Sequence, residues 1–168
     1  MLLNQLPRLA AFSHGVSDTA SHPAETVSVL SVSPFEEDHR KLQSVFRRSN
    51  WSLSRAFGCE EAVDFVQQYP TPVVISEKDL AGQCWRNVLN RINSLDLRPA
   101  PRLIVSARLA DDELWSQVLN LGGYNVLEKP FDDHEVFWVV SQAWLDWKSE
   151  RERSSHSDLA NLVLSTGA

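Results

Sequence analysis

Three polar side chains, Glu77, Ser106 and Lys129, are the residues of this chain best placed to do chemistry. Each stands at or just after the end of a mainly apolar run, and these runs cover 72–76 and 103–105 for the first two. A continuous apolar run bounded by turn signals predicts a strand buried on both faces. Open α/β sheets bind ligands at the carboxyl ends of their strands. If the strands are parallel neighbours, a carboxylate, a hydroxyl and an ammonium group converge on one crevice.

The elements that must position this crevice alternate along the chain. Strand patterns occur at 27–32, 51–57, 72–77, 102–106 and 124–128, and apolar residues at helical spacing follow each of them. Five strands alternating with five helices predict an α/β fold, in which a doubly wound parallel sheet carries helices on both faces.

The helix boundaries follow from capping residues. Ser33 and Pro34 predict the start of the first helix, because Ser is a good N-cap and Pro is tolerated at the first helical position. The second and fourth helices are predicted to turn Tyr69 and Leu121 inward. The last helix is predicted to run from residue 132 to about residue 150.

Composition narrows the function classes. The 168 residues are 43% hydrophobic and 23% charged, which is typical of a globular domain. A net charge of −6 disfavours nucleic-acid binding, and no run approaches the roughly 18 apolar residues of a membrane span. The two cysteines, Cys59 and Cys84, form no CxxC motif. They indicate a cytoplasmic protein without a zinc site.

The chain divides into three predicted regions. Residues 1–25 are predicted to be a flexible N-terminal leader, residues 26–150 a single domain, and residues 151–168 a C-terminal tail. In the tail, an N-cap at Asp158 before Leu159, Leu162 and Val163 is consistent with a short docking helix, although a frayed end is preferred. About 18 residues are too few for an output domain, so we expect a stand-alone module.

The order of the elements and several short motifs resemble the receiver domain of bacterial two-component response regulators, over residues 26–148. The motifs are the strand that ends at Glu77, Ser106-Ala107, Lys129-Pro130-Phe131, the helix start 58–62, and Gly122 before the last strand. The resemblance implies a flavodoxin-like (βα)5 fold with strand order 2-1-3-4-5.

The resemblance also implies roles for the residues at the crevice. In the family, an Asp after the third strand accepts a phosphoryl group, two acids after the first strand hold Mg²⁺, and a hydroxyl and a lysine contact the phosphoryl oxygens. The corresponding positions here hold Glu77 for the acceptor, Ser33 and Pro34 for the acid pair, and Ser106 and Lys129 for the switch hydroxyl and lysine. Pro130 is the candidate for a cis peptide bond. The family's proline after the acceptor strand is Ala81 here, and its aromatic switch residue is Val126.

These departures change the expected chemistry. Phosphoryl transfer to a carboxylate needs a cation to neutralise the developing charge, and Mg²⁺ relies on carboxylate ligands. With two of three negative charges missing, we expect weak or absent Mg²⁺ binding, no other cofactor or metal, and little or no phosphorylation. Glu77 either pairs permanently with Lys129 or is a solvated residue of a degenerate site. Asp79 is a conceivable substitute acceptor, but a turn aspartate is the preferred interpretation.

The last helix carries a candidate contact surface. Its core stripe is predicted to be Val136, Val140, Ala143 and Trp147, whereas Trp138 and Leu145 fall on roughly the opposite side. Exposed Trp and Leu on one stripe favour an interface with a protein partner or with a second copy. Two isolated exposed apolar residues would be the simpler explanation.

Three functions are compatible with these features. The first is a stand-alone, atypical receiver module that acts through protein contacts without phosphorylation and is not an enzyme. The second is a working phosphoacceptor in a two-component phosphorelay, through Glu77 or Asp79. The third, an unrelated small α/β enzyme, lacks a phosphate loop, a nucleophile elbow or a set of metal ligands in the sequence.

Overall fold

The structure is a computed structural model that describes residues 25–165, with side chains to residue 158. Except for Glu25, the predicted leader lies outside the described residues. The elements follow in this order: β1 (Ser28–Val32), α1 (Glu36–Phe46), β2 (Ser52–Ala56), α2 (Cys59–Gln68), β3 (Val73–Glu77), β4 (Asp79–Leu80), β5 (Gln83–Cys84), α3 (Trp85–Asn93), β6 (Arg102–Ala107), α4 (Asp112–Asn120), β7 (Asn125–Glu128) and α5 (Asp133–Ser165).

Five of the strands form one parallel sheet in the order β2-β1-β3-β6-β7. With β6 and β7 as the fourth and fifth strands, this is the predicted order 2-1-3-4-5. The predicted fold class is therefore confirmed. The register places Glu77 at the end of β3 opposite Ser106 of β6.

The two faces of the sheet bury different sets of helices, because successive strand residues point to opposite faces. One core contains β-strand residues such as Leu30, Val74 and Val105 together with residues of α2, α3 and α4. The other contains Val29 and Ile75 with residues of α1 and α5. Helices thus cover both faces, as predicted.

The core stripes of the helices agree with the sequence except near two helix ends. The predicted stripe of α5 is buried throughout. Tyr69 and Leu121, however, are exposed, and the prediction that they face inward is wrong. Both follow the last residue of their helix, so neither continues its buried stripe.

Helix α1 begins at Glu36, two residues later than the predicted start at Pro34. The Ser33 hydroxyl accepts a hydrogen bond from the Phe35 backbone N–H at 3.1 Å and donates to Asp38. Ser33 therefore organises the loop before the helix instead of capping the helix itself.

Two further differences concern the connections. The segment after β3, predicted to be a loop, contains a short antiparallel hairpin of β4 and β5. Gly82 has a φ of +73° in its turn, a conformation that glycine adopts without strain. Helix α5 continues to Ser165 as one helix, so its predicted end near residue 150 is too early. Over residues 151–165 the tail is helical, which differs from the frayed end preferred in the sequence analysis. The division into leader, domain and tail remains a prediction.

Candidate functional site

The alternation of strand residues brings the three predicted site residues to one face of the sheet. Glu77, Ser106 and Lys129 each come two residues after a residue of the core beneath α1 and α5, namely Ile75, Ile104 and Leu127. All three stand at the carboxyl ends of neighbouring parallel strands. They therefore face the start of α1, and the crevice predicted from the sequence is present.

Lys129 lies at the centre of this crevice. Its Nζ forms an ion pair with Glu77 Oε2 and lies 3.0 Å and 3.2 Å from the two carboxylate oxygens of Asp38. Only 10% of the Lys129 side chain is exposed, against 8% for Glu77 and 7% for Asp38. The Ser106 hydroxyl donates to Glu77 Oε2 at 3.4 Å. Of the two interpretations of Glu77, the structure has the paired carboxylate and not the solvated one.

Asp38 is a site residue that the sequence analysis missed. It stands in the first turn of α1, and acidic residues there are explained by the helix dipole alone. Its spacing held the missing signal, because it lies four residues before the core residue Leu42 and shares a helix face with it. The expectation that two of three negative charges are lost is wrong, since Glu77 and Asp38 both face Lys129.

The two predicted acid-pair positions have different surroundings. The Ser33 hydroxyl donates to Asp38 Oδ2 at 2.6 Å. Ser33 therefore orients the Asp38 carboxylate of α1, whereas the family has an acidic residue at the position of Ser33 itself. Pro34 offers no donor or acceptor from its side chain. The acid pair is thus replaced by one hydroxyl and one aspartate from the following helix.

The electrostatic environment keeps Lys129 charged. Burial acts to lower the pKa of Lys129, but its bonds to Glu77 and Asp38 outweigh that effect and raise the pKa above the usual 10.5. The Phe35 ring lies 5.3 Å from Nζ and adds a cation–π contact. The ammonium group therefore remains protonated at neutral pH, between two carboxylates.

His39 supports the loop that carries Ser33. The Nε2 atom lies 3.0 Å from the Ser33 carbonyl oxygen, and Nδ1 lies 2.9 Å from the Ser31 hydroxyl. Because a carbonyl only accepts, Nε2 carries the proton and Nδ1 accepts from Ser31. Burial of the ring lowers the pKa of His39, and its bond to the Ser33 carbonyl opposes that effect only in part. A neutral, buried imidazole thus fixes the backbone at Ser33.

The side chains present do not fit the magnesium ion that the family binds. Both oxygens of Asp38 already accept from Lys129, and one also accepts from Ser33. Glu77 is bound by Lys129 and Ser106. Among the described residues, no group of three or more His, Cys, Asp or Glu side chains is arranged to hold a metal ion. A cation bound by Asp38 would have to share its carboxylate oxygens with Lys129 and Ser33.

A cavity of about 400 Å³ opens beside this cluster, between α1, the loop after β6 and the loop after β7. The surface cations Lys41 and Arg108 line it together with Glu37, Asp38 and Lys129. Arg108 lies 3.8 Å from Glu37. Both signs of charge therefore line the opening.

The remaining residues named in the sequence analysis lie outside the cluster around Lys129. The Lys129–Pro130 peptide bond is cis. Asp79 is an exposed residue of the β4–β5 hairpin, and Val126 is buried in the core beneath α2, α3 and α4. Cys84 stands at the N-cap of α3 and bonds Asn87.

The two residues predicted for an interface are both exposed on α5. The exposed fractions are 61% for Trp138 and 45% for Leu145, and Phe137 is 46% exposed. The Trp51 ring stacks on Phe137 with 4.4 Å between the centroids. We call Phe137, Trp138 and Leu145 the apolar face of α5. None of the helices within residues 25–165 has both the length and the apolar character needed to cross a membrane.

Comparison with known proteins supports the receiver assignment. No protein-family model and no curated protein matches the sequence. Among solved structures, a signal receiver domain of an HD domain-containing protein from Pseudomonas fluorescens Pf-5 matches with 26% identity and a TM-score of 0.70, over 80% of this chain and 98% of that one.

Two more solved structures share the fold at lower identity. A receiver domain of a putative LuxO repressor protein from Vibrio parahaemolyticus matches with a TM-score of 0.69 and 17% identity, over 75% of this chain and 95% of that one. The chemotaxis protein CheY4 of Vibrio cholerae matches with a TM-score of 0.66 and 13% identity, over 71% and 99%. The chain thus has the fold of the receiver domains of response regulators, which are signal-transduction modules. By the alignment of motifs in the sequence analysis, it differs from them in carrying Glu77, Ser33 and Pro34 at the positions of the acceptor and the acid pair.

Proposed function

We propose that this receiver module signals without being phosphorylated and acts through protein contacts. The observation that carries the proposal is the position of Lys129, whose ammonium group is bound by the Glu77 and Asp38 carboxylates. In the family, this lysine contacts the phosphoryl group. Here its partner is the side chain at the acceptor position, so one conformation is held without a modification.

Charge balance supports the same proposal. Two carboxylates face one ammonium group, which leaves the cluster with a net charge of about −1 when all three are ionised. A phosphoryl donor is itself an anion, and its transfer needs a cation that neutralises the developing charge. Since the ligands for such a cation are already bound to Lys129 and Ser33, transfer to Glu77 is disfavoured.

The test is incubation of the full chain with acetyl phosphate and Mg²⁺, followed by intact mass measurement. We expect no phosphoryl adduct, whereas a receiver domain with Asp at the acceptor position, treated in parallel, gains one. A beryllofluoride titration followed by tryptophan fluorescence should show no Mg²⁺-dependent change. A stoichiometric, Mg²⁺-dependent phosphoryl adduct on the chain would contradict the proposal.

That adverse result would support the second candidate function, a working phosphoacceptor in a two-component phosphorelay. The open cavity beside Lys129 and Asp38 favours it, because a small donor has access to the crevice. Glu77→Gln and Asp79→Asn would then locate the acceptor, because only the variant that lacks the reacting carboxylate loses the adduct.

The proposed contact surface is the apolar face of α5, and its partner is a protein or a second copy of the chain. We place this signalling in the cytoplasm, in keeping with the two free thiols, Cys59 and Cys84. Light scattering of the native chain, Trp138→Glu and Leu145→Lys tests the surface. A dimer that becomes monomeric in both variants identifies a second copy as the partner. An oligomer that persists in both variants excludes this face as the interface between copies of the chain.

A further inference from the structure

The described chain begins on the flank of α5. The Glu25 carboxylate lies 2.7 Å from Lys148 Nζ and 2.7 Å from an Arg151 guanidinium nitrogen. The side-chain amide of Asn50 donates to the Glu25 backbone oxygen at 3.0 Å. These bonds, with Lys148 the strongest contributor, lower the pKa of Glu25. Glu25 itself is therefore anchored next to this helix.

The apolar face of α5 adjoins that anchor. The Lys148 Nζ atom lies 5.2 Å from the centroid of the Trp144 ring. Leu145 is three positions before Lys148, so Leu145 and Lys148 are neighbours on the helix surface. Trp138, Leu145 and Glu152 are seven residues apart and form one stripe. The stripe runs from two exposed apolar side chains to an exposed acid.

The residues before Glu25 have a sequence that suits this stripe. Residues 1–12 contain several large apolar side chains: Leu2, Leu3, Leu6, Leu9 and Phe12. Their one charged side chain is Arg8, opposite in sign to Glu152. Residues 13–24 are mostly small and polar and separate this apolar stretch from the anchor.

The connecting length also matches. Trp138 lies ten residues before Lys148, or about 15 Å along the helix. An unstructured chain of twelve residues has an average end-to-end distance of about 20 Å, and its fully extended length is about 40 Å. A tether whose average length matches the span gives the highest effective concentration, in the millimolar range.

We propose that residues 1–12 bind the apolar face of α5 of their own chain and cover Phe137, Trp138 and Leu145. The proposal rests on the proposed function in one respect, because covering this face matters for signalling only if the face contacts a partner. The leader then competes with the partner for the same surface, and binding requires the leader to leave it.

The size of the face favours a tethered segment over a second copy as the occupant. Three half-exposed side chains of these types present on the order of 300 Å². A stable complex of separate proteins usually buries roughly 800 Å² on each partner. A segment held at millimolar effective concentration needs far less contact area to occupy the face.

The experiment is a paramagnetic measurement on the full chain. A nitroxide is attached at Asn4→Cys in a Cys84→Ser background, which keeps an N-cap residue on α3; Cys59 is buried. The indole N–H signal of Trp138, assigned with Trp138→Phe, is recorded in ¹⁵N-labelled protein. We expect its loss in the oxidised sample and its return on reduction. The Trp85 indole, on the opposite side of the sheet, should keep its intensity.

Mixed samples identify the occupant. The loss should persist when spin-labelled ¹⁵N protein is diluted into unlabelled protein. It should be absent when ¹⁵N protein without the nitroxide is mixed with spin-labelled ¹⁴N protein. Loss only in the second mixture would make a second copy the occupant and overturn the proposal, and full intensity in both samples would overturn it as well.

Two variants supply matched controls. Leu6→Asp with Leu9→Asp should restore the Trp138 signal, because it removes apolar side chains from the leader alone. Leu119→Glu changes a leucine on α4 that is 53% exposed and should leave the loss intact. The readout involves neither phosphorylation nor a partner, so its failure is distinguishable from failure of the proposed function.

Discussion

The charged crevice and the apolar face of α5 both lie on the side of the sheet covered by α1 and α5, yet their chemistry differs. In the crevice, the Lys129 ammonium group is bound by Glu77 and Asp38, and hydroxyl groups bond each carboxylate. On the α5 face, the described residues leave Trp138 and Leu145 exposed. The charged groups of the crevice thus bond one another, whereas the apolar side chains of the face are available for contact with a partner.

This difference indicates which region contributes to stability and which to association. A buried ion pair is weak evidence for added stability, because desolvation offsets the attraction, but removal of one partner from it is costly. Exposed apolar side chains contribute little to folding and much to association. Substitutions should therefore affect stability in the crevice and association on the face, and four predictions separate the two.

The largest expected effect is that of Lys129→Met. It leaves two carboxylates buried beside each other without a cation, and we expect a loss of about 3–5 kcal/mol in the free energy of unfolding. Urea denaturation at neutral pH measures it. The matched control is Lys41→Met, which removes a half-exposed lysine from its pair with Asp133 and should cost about 0–1 kcal/mol.

A companion variant tests the cause of that loss. Adding Glu77→Gln and Asp38→Asn to Lys129→Met removes the uncompensated charges, so the triple variant should regain part of the stability. Equal costs for Lys129→Met and Lys41→Met would show that the crevice is hydrated and that its charges are screened.

The second effect is smaller, because Lys129 has two carboxylate partners. Glu77→Gln removes one negative charge but keeps an acceptor for Lys129 and Ser106, and the Asp38 carboxylate still pairs the ammonium group. We expect a cost of about 1–3 kcal/mol, as for a hydrogen bond to a charged group. Asp38→Asn should behave alike. A loss in either variant as large as that of Lys129→Met would mean that the remaining carboxylate does not share the lysine.

The third prediction concerns the loss of stability at acidic pH, and it follows from the environment of His39 beneath the crevice. Its pKa is lowered from the usual 6.5, so the folded state disfavours the protonated ring. The stability that this contributes is present above pH 6.5 and is lost as pH falls from 6.5 through the folded-state pKa. The charged groups that face the ring are Glu36, Asp38 and Arg55.

Urea denaturation between pH 7 and pH 5 measures this slope, and His39→Gln should flatten it. Glu25 titrates in a separate window, because its lowered pKa makes its contribution disappear only below about pH 4.5. Lys129 has a raised pKa and loses its contribution only above pH 10.5. An unchanged slope in His39→Gln would assign the acid dependence to other groups.

The fold and half of the crevice were predictable because they depend on local patterns. Apolar or alternating runs bounded by turn signals predict the five strands, and the carboxyl ends of parallel neighbours bring Glu77 and Ser106 to one crevice. Lys129 follows from the same argument one strand further along. None of these inferences needs the position of a helix to within one residue.

The other half of the crevice depends on such a position. Asp38 faces Lys129 only because α1 starts at Glu36, and the start was predicted two residues earlier from the N-cap preference of Ser33. The hydroxyl of that serine bonds Asp38 instead, a tertiary contact that a propensity argument does not include. The buried environment of His39 was missed for the same reason, since its partners are the residues of that loop.

The smallest expected effect is that of Trp138→Glu on stability. The side chain is 61% exposed, so we expect a change within about 0.5 kcal/mol in the free energy of unfolding. Trp147→Glu is the matched control on the same helix, because Trp147 is buried and its indole donates to the Pro99 carbonyl at 3.2 Å. That variant should lose about 3–5 kcal/mol, as large aromatic deletions in a core do. If Trp138→Glu destabilised the chain as strongly as Trp147→Glu, Trp138 would be part of a folded core in solution, and the α5 face would not be available to any partner.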